Sequence, residues 1–241
     1  MKHFRFYPHL VALFALGFAL PAPLAAQNYF DQFDFALQSH DLVFQQKILA
    51  EWQAAGPDDR DYYVARYNYY LHRDSLLATP DSALAVLDTA IVRLPDQLDL
   101  RFGKVYHLAM KEQWDAFADE LVGLLDHSER IHHKWQFGYF SGGGEEFVVS
   151  GVQDCLEALF QQIPDPDHLT AADSVMVLRL RRVAKRLAQV FPEDVPALNF
   201  LAVSYTLVGD YPKALRYLRR AQAIDPTDPV VRQNIADLEG R

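Results

Sequence analysis

His127, Glu129, His132 and His133 crowd into one short stretch, HSERIHHKWQFGYFSGGG, residues 127–144. Imidazole and carboxylate are zinc-ligand types, and a zinc site needs three or four of them converging in fixed geometry. Glu129 and His132 are spaced to share one helical face. No HExxH occurs, and no second set with ligand spacing recurs. The group therefore reads as surface histidines near a helix end, and no metal or other cofactor is expected. The glycine run Ser141-Gly142-Gly143-Gly144 resembles a phosphate loop only in its glycines. A phosphate loop is closed by lysine and a hydroxyl residue, whereas Glu145 and Glu146 follow here and would repel phosphate. They suit the positive end of a following helix. Cys155 is the only cysteine. It sits in an apolar stripe, without a histidine placed to activate it, and reads as a small buried residue. No side chain is assigned a catalytic role.

The same stretch has a second reading. It is basic within an acidic chain, through Arg130, His132, His133 and Lys134, and it carries Trp135, Phe137, Tyr139 and Phe140. Trp135, Phe137 and Tyr139 alternate, as in an extended segment. Aromatic and arginine side chains are favoured binding anchors, so 127–144 is either a recognition insertion or a flap packed on its own chain.

The elements around it are helical. Half of the 241 residues are hydrophobic, enough for a sizeable core, and no segment alternates long enough to suggest a sheet. Residues 1–26 read as an export signal: Lys2, His3 and Arg5, then the apolar run Leu10 to Leu20, then PAPLAAQ. The apolar run is short for a membrane span. Cleavage is expected after Ala26, leaving residues 27–241 as a single domain, exported to the periplasm, with no stable membrane insertion. Loss of Lys2 and Arg5 moves the net charge from −9 to −11. So acidic a chain repels nucleic acid and anionic membrane surfaces.

Residues 195–228 carry the strongest pattern. Leu198, Leu201, Ala202 and Tyr205 lie at i, i+3, i+4 and i+7, one face of a first helix (helix A) over about 196–208. Gly209 tolerates the left-handed conformation that ends a helix. Asp210 caps the next helix (helix B), which has Pro212 in its first turn and Ala214, Leu215, Leu218 and Ala221 on its inner face. Pro226 stops it. With Pro226, Leu198, Leu201, Ala202, Tyr205, Ala214, Leu218 and Ala221 stand at the spacings of a tetratricopeptide repeat, and the segment resembles that family. Pro192 and Pro226 are one period of 34 residues apart.

Upstream, a longer pair spans Glu145 to Gln162 and Thr170 to Phe191. Ala83, Leu87, Ala90 and Pro95 match the second half of the motif, with Asp61 to His72 as the matching helix A. Phe102, Gly103 and Tyr106 open another unit, whose second helix holds Trp114, Phe117, Leu121 and Leu124. Residues from about 29 make a further short pair, and Val231, Ile235 and Leu238 mark a capping helix over 229–241. The expected fold is all-α: a tetratricopeptide-type helical-hairpin solenoid of about five pairs plus the cap, because such pairs bury their apolar faces only by stacking.

The resemblance implies a protein scaffold or adaptor, not an enzyme, that holds a protein or peptide in the groove lined by its A helices. By position that groove includes Tyr62, Arg66, Tyr69, Lys104, His107, Gln153, Asn199 and Val203, with Trp135, Phe137 and Tyr139 joining it if 127–144 is a recognition insertion. The tyrosines serve equally well as packing between repeats. The family's clamp for C-terminal carboxylates needs lysine and asparagine where Asn199 and Val203 stand, and Arg66 and Lys104 do not complete it. A small-ligand binder, for instance of sugars, would instead need a deep aromatic pocket around Trp135 and Tyr62. A metal-dependent hydrolase on His127, Glu129, His132 or His133 is the remotest alternative.

Overall fold

The structure, a computed structural model, describes residues 24–56, 59–77, 82–138, 140–141, 144–166 and 168–240. Among these residues the chain forms α1 (Leu24–Gln38), α2 (Leu42–Ala55), α3 (Arg60–Leu77), α4 (Ser82–Arg93), α5 (Leu98–Met110) and α6 (Trp114–Arg130). A short antiparallel ribbon follows, β1 (Gln136–Phe137) and β2 (Phe140–Ser141), with Phe137 opposite Phe140. The remainder is α7 (Glu145–Phe160), α8 (Ala171–Val190), α9 (Val195–Thr206), α10 (Tyr211–Ile224) and α11 (Pro229–Glu239). Residues 1–23, most of the expected export signal, lie outside the described residues.

One turn recurs and defines the hairpins. Between α9 and α10, the Gly209 N–H donates to the Thr206 carbonyl at 3.0 Å and the Asp210 N–H to the Tyr205 carbonyl at 3.0 Å. Between α5 and α6, Glu112 and Gln113 donate in the same way to Ala109 and Leu108, at 3.0 and 2.9 Å. Between α1 and α2, His40 and Asp41 donate to Leu37 and Ala36, at 3.1 and 3.0 Å. This is the Schellman helix end, which needs one left-handed residue. Gly209, Glu112 and His40 supply it, with φ of 77°, 55° and 56°. The end of α6 repeats the pattern through His132 (φ 52°), whose N–H donates to Glu129, while that of His133 donates to Ser128. A side chain in this conformation is strained by about 1–2 kcal/mol. Gly209→Ala therefore lowers stability by about 1 kcal/mol, while Glu112→Gly raises it by up to about 1 kcal/mol. Chemical denaturation of the pair, read as opposite midpoint shifts, checks this.

A second device opens the A helices. In Pro192-Glu193-Asp194 and Pro226-Thr227-Asp228, proline ends one helix and the aspartate caps the next. Asp194 accepts the Ala197 N–H at 2.7 Å and Asp228 that of Val231 at 2.8 Å. Asp59 accepts the Tyr62 N–H at 2.7 Å in the same role. At Pro95-Asp96-Gln97 the aspartate is replaced by Gln97, and the ribbon docks there instead. The Gln136 N–H donates to the Asp96 carbonyl at 2.9 Å, and the Gln97 amide donates to the Gln136 side-chain carbonyl at 3.0 Å.

The chain divides into two compact units, and the division falls within α5, after His107. The first holds the described residues up to His107 together with 134–144. Its core is aromatic: Trp52 stacks on Tyr29 with centroids 5.8 Å apart and meets the edge of Tyr62, also at 5.8 Å. Phe33, Ile48, Val64, Leu87 and Leu100 fill the space around them. Ala36, Ala65 and Ala90 are buried small residues that let helices approach closely. Arg60 forms ion pairs with Asp61 at 2.6 Å and with Asp99, tying the start of α3 to the start of α5.

The second unit runs from Leu108 to His133 and from Glu145 to the end. Its core carries the expected stripes. Val148, Val152, Cys155 and Leu159 come from α7; Val177, Leu180, Ala184 and Leu187 come from α8; Leu198, Leu201 and Ala202 from α9 meet Ala214, Leu218 and Ala221 from α10. Phe117, where the family prefers alanine, is buried against Trp114. Along α8, Arg179, Arg182 and Arg186 pair with Asp115, Asp119 and Asp126 of α6 at 2.6, 2.8 and 2.5 Å. The fold is all-α and tetratricopeptide-like, built from helical hairpins with a shared turn.

Candidate partner-binding face

In the second unit the A helices are α7, α9 and the cap α11, and polar side chains stitch them together. The Gln153 amide on α7 donates to Asp194 at the start of α9, at 2.7 Å. The Asn234 amide on α11 donates to the Asn199 side-chain oxygen Oδ1 on α9, at 2.7 Å. Gln153 and Asn199 were expected to face a partner. They are half-buried and each spends a bond on holding neighbouring A helices in register. Burial raises the pKa of the Asp194 carboxyl from its ordinary value, opposed by the bonds from Ala197 and Gln153. The folded chain then holds that proton more readily than the unfolded one. The contribution of Asp194 to stability is greatest at low pH and falls as pH rises through the carboxylate range. Asp194→Ala, which removes the cap, costs about 1 kcal/mol. Asp194→Asn keeps a capping oxygen and flattens the pH dependence of Tm, a comparison that calorimetry across the carboxylate range decides.

A recess of about 180 Å³ opens beside this seam. Val203 and Thr206 of α9, with its capping residue Leu207, form one wall; Asn234, Asp237 and Leu238 of α11 form the other. Phe160 closes the α7 end and Leu218 lies at the base. Val203, one of the groove residues expected from the sequence, thus lines this recess. Asp237 is exposed at its rim. Asn234, Asp237 and Leu238 stand at i, i+3 and i+4, so the signal was present as a shared helical face.

The first unit places its expected groove residues differently. Tyr62 and Tyr69 are buried in the aromatic core, which corrects any reading of them as an open surface. Arg66 is half-buried, bonded to the Tyr62 hydroxyl and 5.8 Å from the Tyr70 ring centre. His107 is fully buried, with its Nδ1 3.2 Å from the Tyr67 hydroxyl. Lys104 pairs with Asp88 at 2.9 Å. Tyr62, Lys104 and His107 thus hold helices to one another, and the contacts of Arg66 lie within α3.

The described anchor of the insertion packs on its own chain. Its aromatic anchor Trp135 is 1 % exposed, with the Arg101 guanidinium 5.7 Å from its ring centre. Arg101 is itself held by the Pro95 carbonyl at 2.9 Å. A side chain on Gly144 would place its Cβ 2.5 Å from the Trp135 Cβ, so the chain passes there only as glycine. Phe137 is half-buried on β1, and Tyr139 lies outside the described residues. With Trp135 and Tyr62 both in the core, they do not form the open aromatic pocket that a sugar binder requires.

Of the histidines at 127–133, His127 and His133 have structural partners, and His132 is exposed. His127 is buried with Arg130 against its ring, His133 lies 2.9 Å from the Ser128 hydroxyl, and Glu129 accepts from Arg186 at 2.6 Å. Among the described residues no group of three or more metal-ligand side chains converges. Burial pushes the Cys155 thiol well above its ordinary range, so it stays protonated.

No protein-family model matches the chain, and no curated protein does. Several solved structures are similar in fold. The crystal structure of MamA protein is 11 % identical, with a TM-score of 0.43 over 83 % of this chain and 92 % of that one. A tetratricopeptide repeat protein from Parabacteroides merdae ATCC 43184 is 12 % identical, with a TM-score of 0.42 over 89 % of this chain and 72 % of that one. YrrB, described as a TPR protein with an unusual peptide-binding site, is 14 % identical, with a TM-score of 0.25 over 77 % of this chain and 96 % of that one.

Proposed function

We propose that this chain is an exported, periplasmic adaptor that binds a peptide or helix of another protein on the A-helix face of its second unit. It acts by equilibrium binding and not by catalysis. The observation that carries this reading is the recess between α9 and α11, an apolar hollow with an amide and carboxylate rim on the side of the hairpins formed by A helices. Its volume of about 180 Å³ favours a single side chain over a sugar. Small-molecule sites typically measure roughly 300–1,000 Å³, and a cavity of roughly 150 Å³ holds a benzene-sized group. The export part of the proposal rests on residues 1–26 alone. Cleavage after Ala26 leaves the half-buried Tyr29 and Phe30 and the buried Phe33 on α1.

The test is affinity capture with residues 27–241 from the source cell envelope, with crosslinking and mass spectrometry, beside a Val203→Arg variant. A specific protein lost with the variant supports the reading. Equal capture by both forms places the partner elsewhere.

A further inference from the structure

From α7 to α10 the charges are sorted by helix. α7 carries Glu145, Glu146, Asp154 and Glu157 and no lysine or arginine, and α9 carries no charged residue. On these four helices the lysines and arginines lie on the B helices: Arg179, Arg181, Arg182, Lys185 and Arg186 on α8, where several pair with the acidic α6, and Lys213, Arg216, Arg219 and Arg220 on α10; α11 carries Arg232 beside Asp237 and Glu239. On α7, Glu146, Gln153, Glu157 and Phe160 share one stripe by helical spacing. Gln153 and Phe160 fix where that stripe faces, since the first bonds to the start of α9 and the second lines the recess. Glu146 and Glu157 are exposed on it. Asp237 adds a further exposed carboxylate at the rim.

We infer that the partner segment is cationic and carries one aliphatic or small aromatic anchor. The anchor enters the recess beside Val203 and Leu238, and flanking lysines or arginines meet Glu157 and Asp237. Charge of one sign around an apolar hollow selects such a segment and rejects acidic tails through like-charge repulsion. This inference rests on the A-face reading above and adds the chemistry of the partner.

The test uses fluorescein-labelled synthetic peptides of lysine, arginine and glycine with a central leucine. The same peptide with central alanine, and a glutamate-for-lysine version, are the controls, read by fluorescence anisotropy on residues 27–241. The leucine peptide is expected to bind about tenfold more tightly than the alanine peptide, because the hollow gains or loses an aliphatic side chain. The acidic peptide is expected not to bind. Val203→Phe, which fills the recess from a half-buried position, abolishes the difference between leucine and alanine, and Asp237→Lys weakens both cationic peptides. Circular dichroism establishes that both variants are folded.

Equal binding of the leucine and alanine peptides, an unchanged preference in Val203→Phe, or preference for the acidic peptide overturns the inference. So does loss of the peptide in favour of self-association at rising protein concentration, seen by sedimentation. A protein captured through Val203 that carries no basic segment overturns the inference alone. Capture indifferent to Val203 overturns the A-face reading itself.

Discussion

Trp135→Ala lowers the unfolding free energy by about 3–5 kcal/mol, the range for deleting a fully buried tryptophan. The side chain is 1 % exposed and lies against Gly144 and the Arg101 guanidinium. Its loss leaves a void under the ribbon and removes the packing that holds 134–144 in the first unit. Phe137→Ala, at a half-buried ribbon position, costs much less. Urea denaturation followed by far-ultraviolet circular dichroism reads both. A Trp135→Ala loss below about 1 kcal/mol, in the range of surface substitutions, means that the insertion does not belong to the core.

The second large effect is at Arg60. Arg60→Ala costs about 3–5 kcal/mol, because removing one member of a buried ion pair leaves its partners desolvated. Asp99 is 5 % exposed and Asp61 is 7 % exposed, and the guanidinium bridges them. Arg60→Met with Asp99→Leu replaces charge by apolar volume and restores most of the loss. Thermal unfolding of the parent, the single and the double variant separates these outcomes.

The hairpin at 195–228 was legible because Gly209 marks its turn with the residue that the left-handed position prefers. The same turn is made by Glu112 and His40, which carry no such mark, so the upstream hairpins matched the family pattern only in part. The aspartates after Pro192 and Pro226 were ordinary caps with a readable spacing. Gln97 broke that spacing, and nothing local told that Gln136, far along the chain, would bond there. Trp135 was ambiguous for a related reason. An aromatic residue in an insertion is equally suited to a partner and to its own core, and only the approach of Gly144 and Arg101 decides.

The candidate site was legible at one residue. Val203 was placed by analogy of position, and the recess wall opposite it comes from the cap helix. There Leu238, on the expected apolar stripe, is buried, and Asp237 is exposed. What periodicity does not contain is that the boundary between them forms a rim. Gln153 and Asn199 were read as groove residues from the same analogy, but hydrogen-bonding capacity on adjacent A helices is satisfied first by the neighbouring helix.

The most direct measurement is site-specific photocrosslinking in the source cells. A photoreactive phenylalanine analogue replaces Val203 in one strain and the exposed Lys134 of the insertion in another. The account predicts one discrete crosslinked protein from position 203 and none from 134. The same protein crosslinking from 134 and not from 203 would contradict it, and would return the insertion to the role of recognition element.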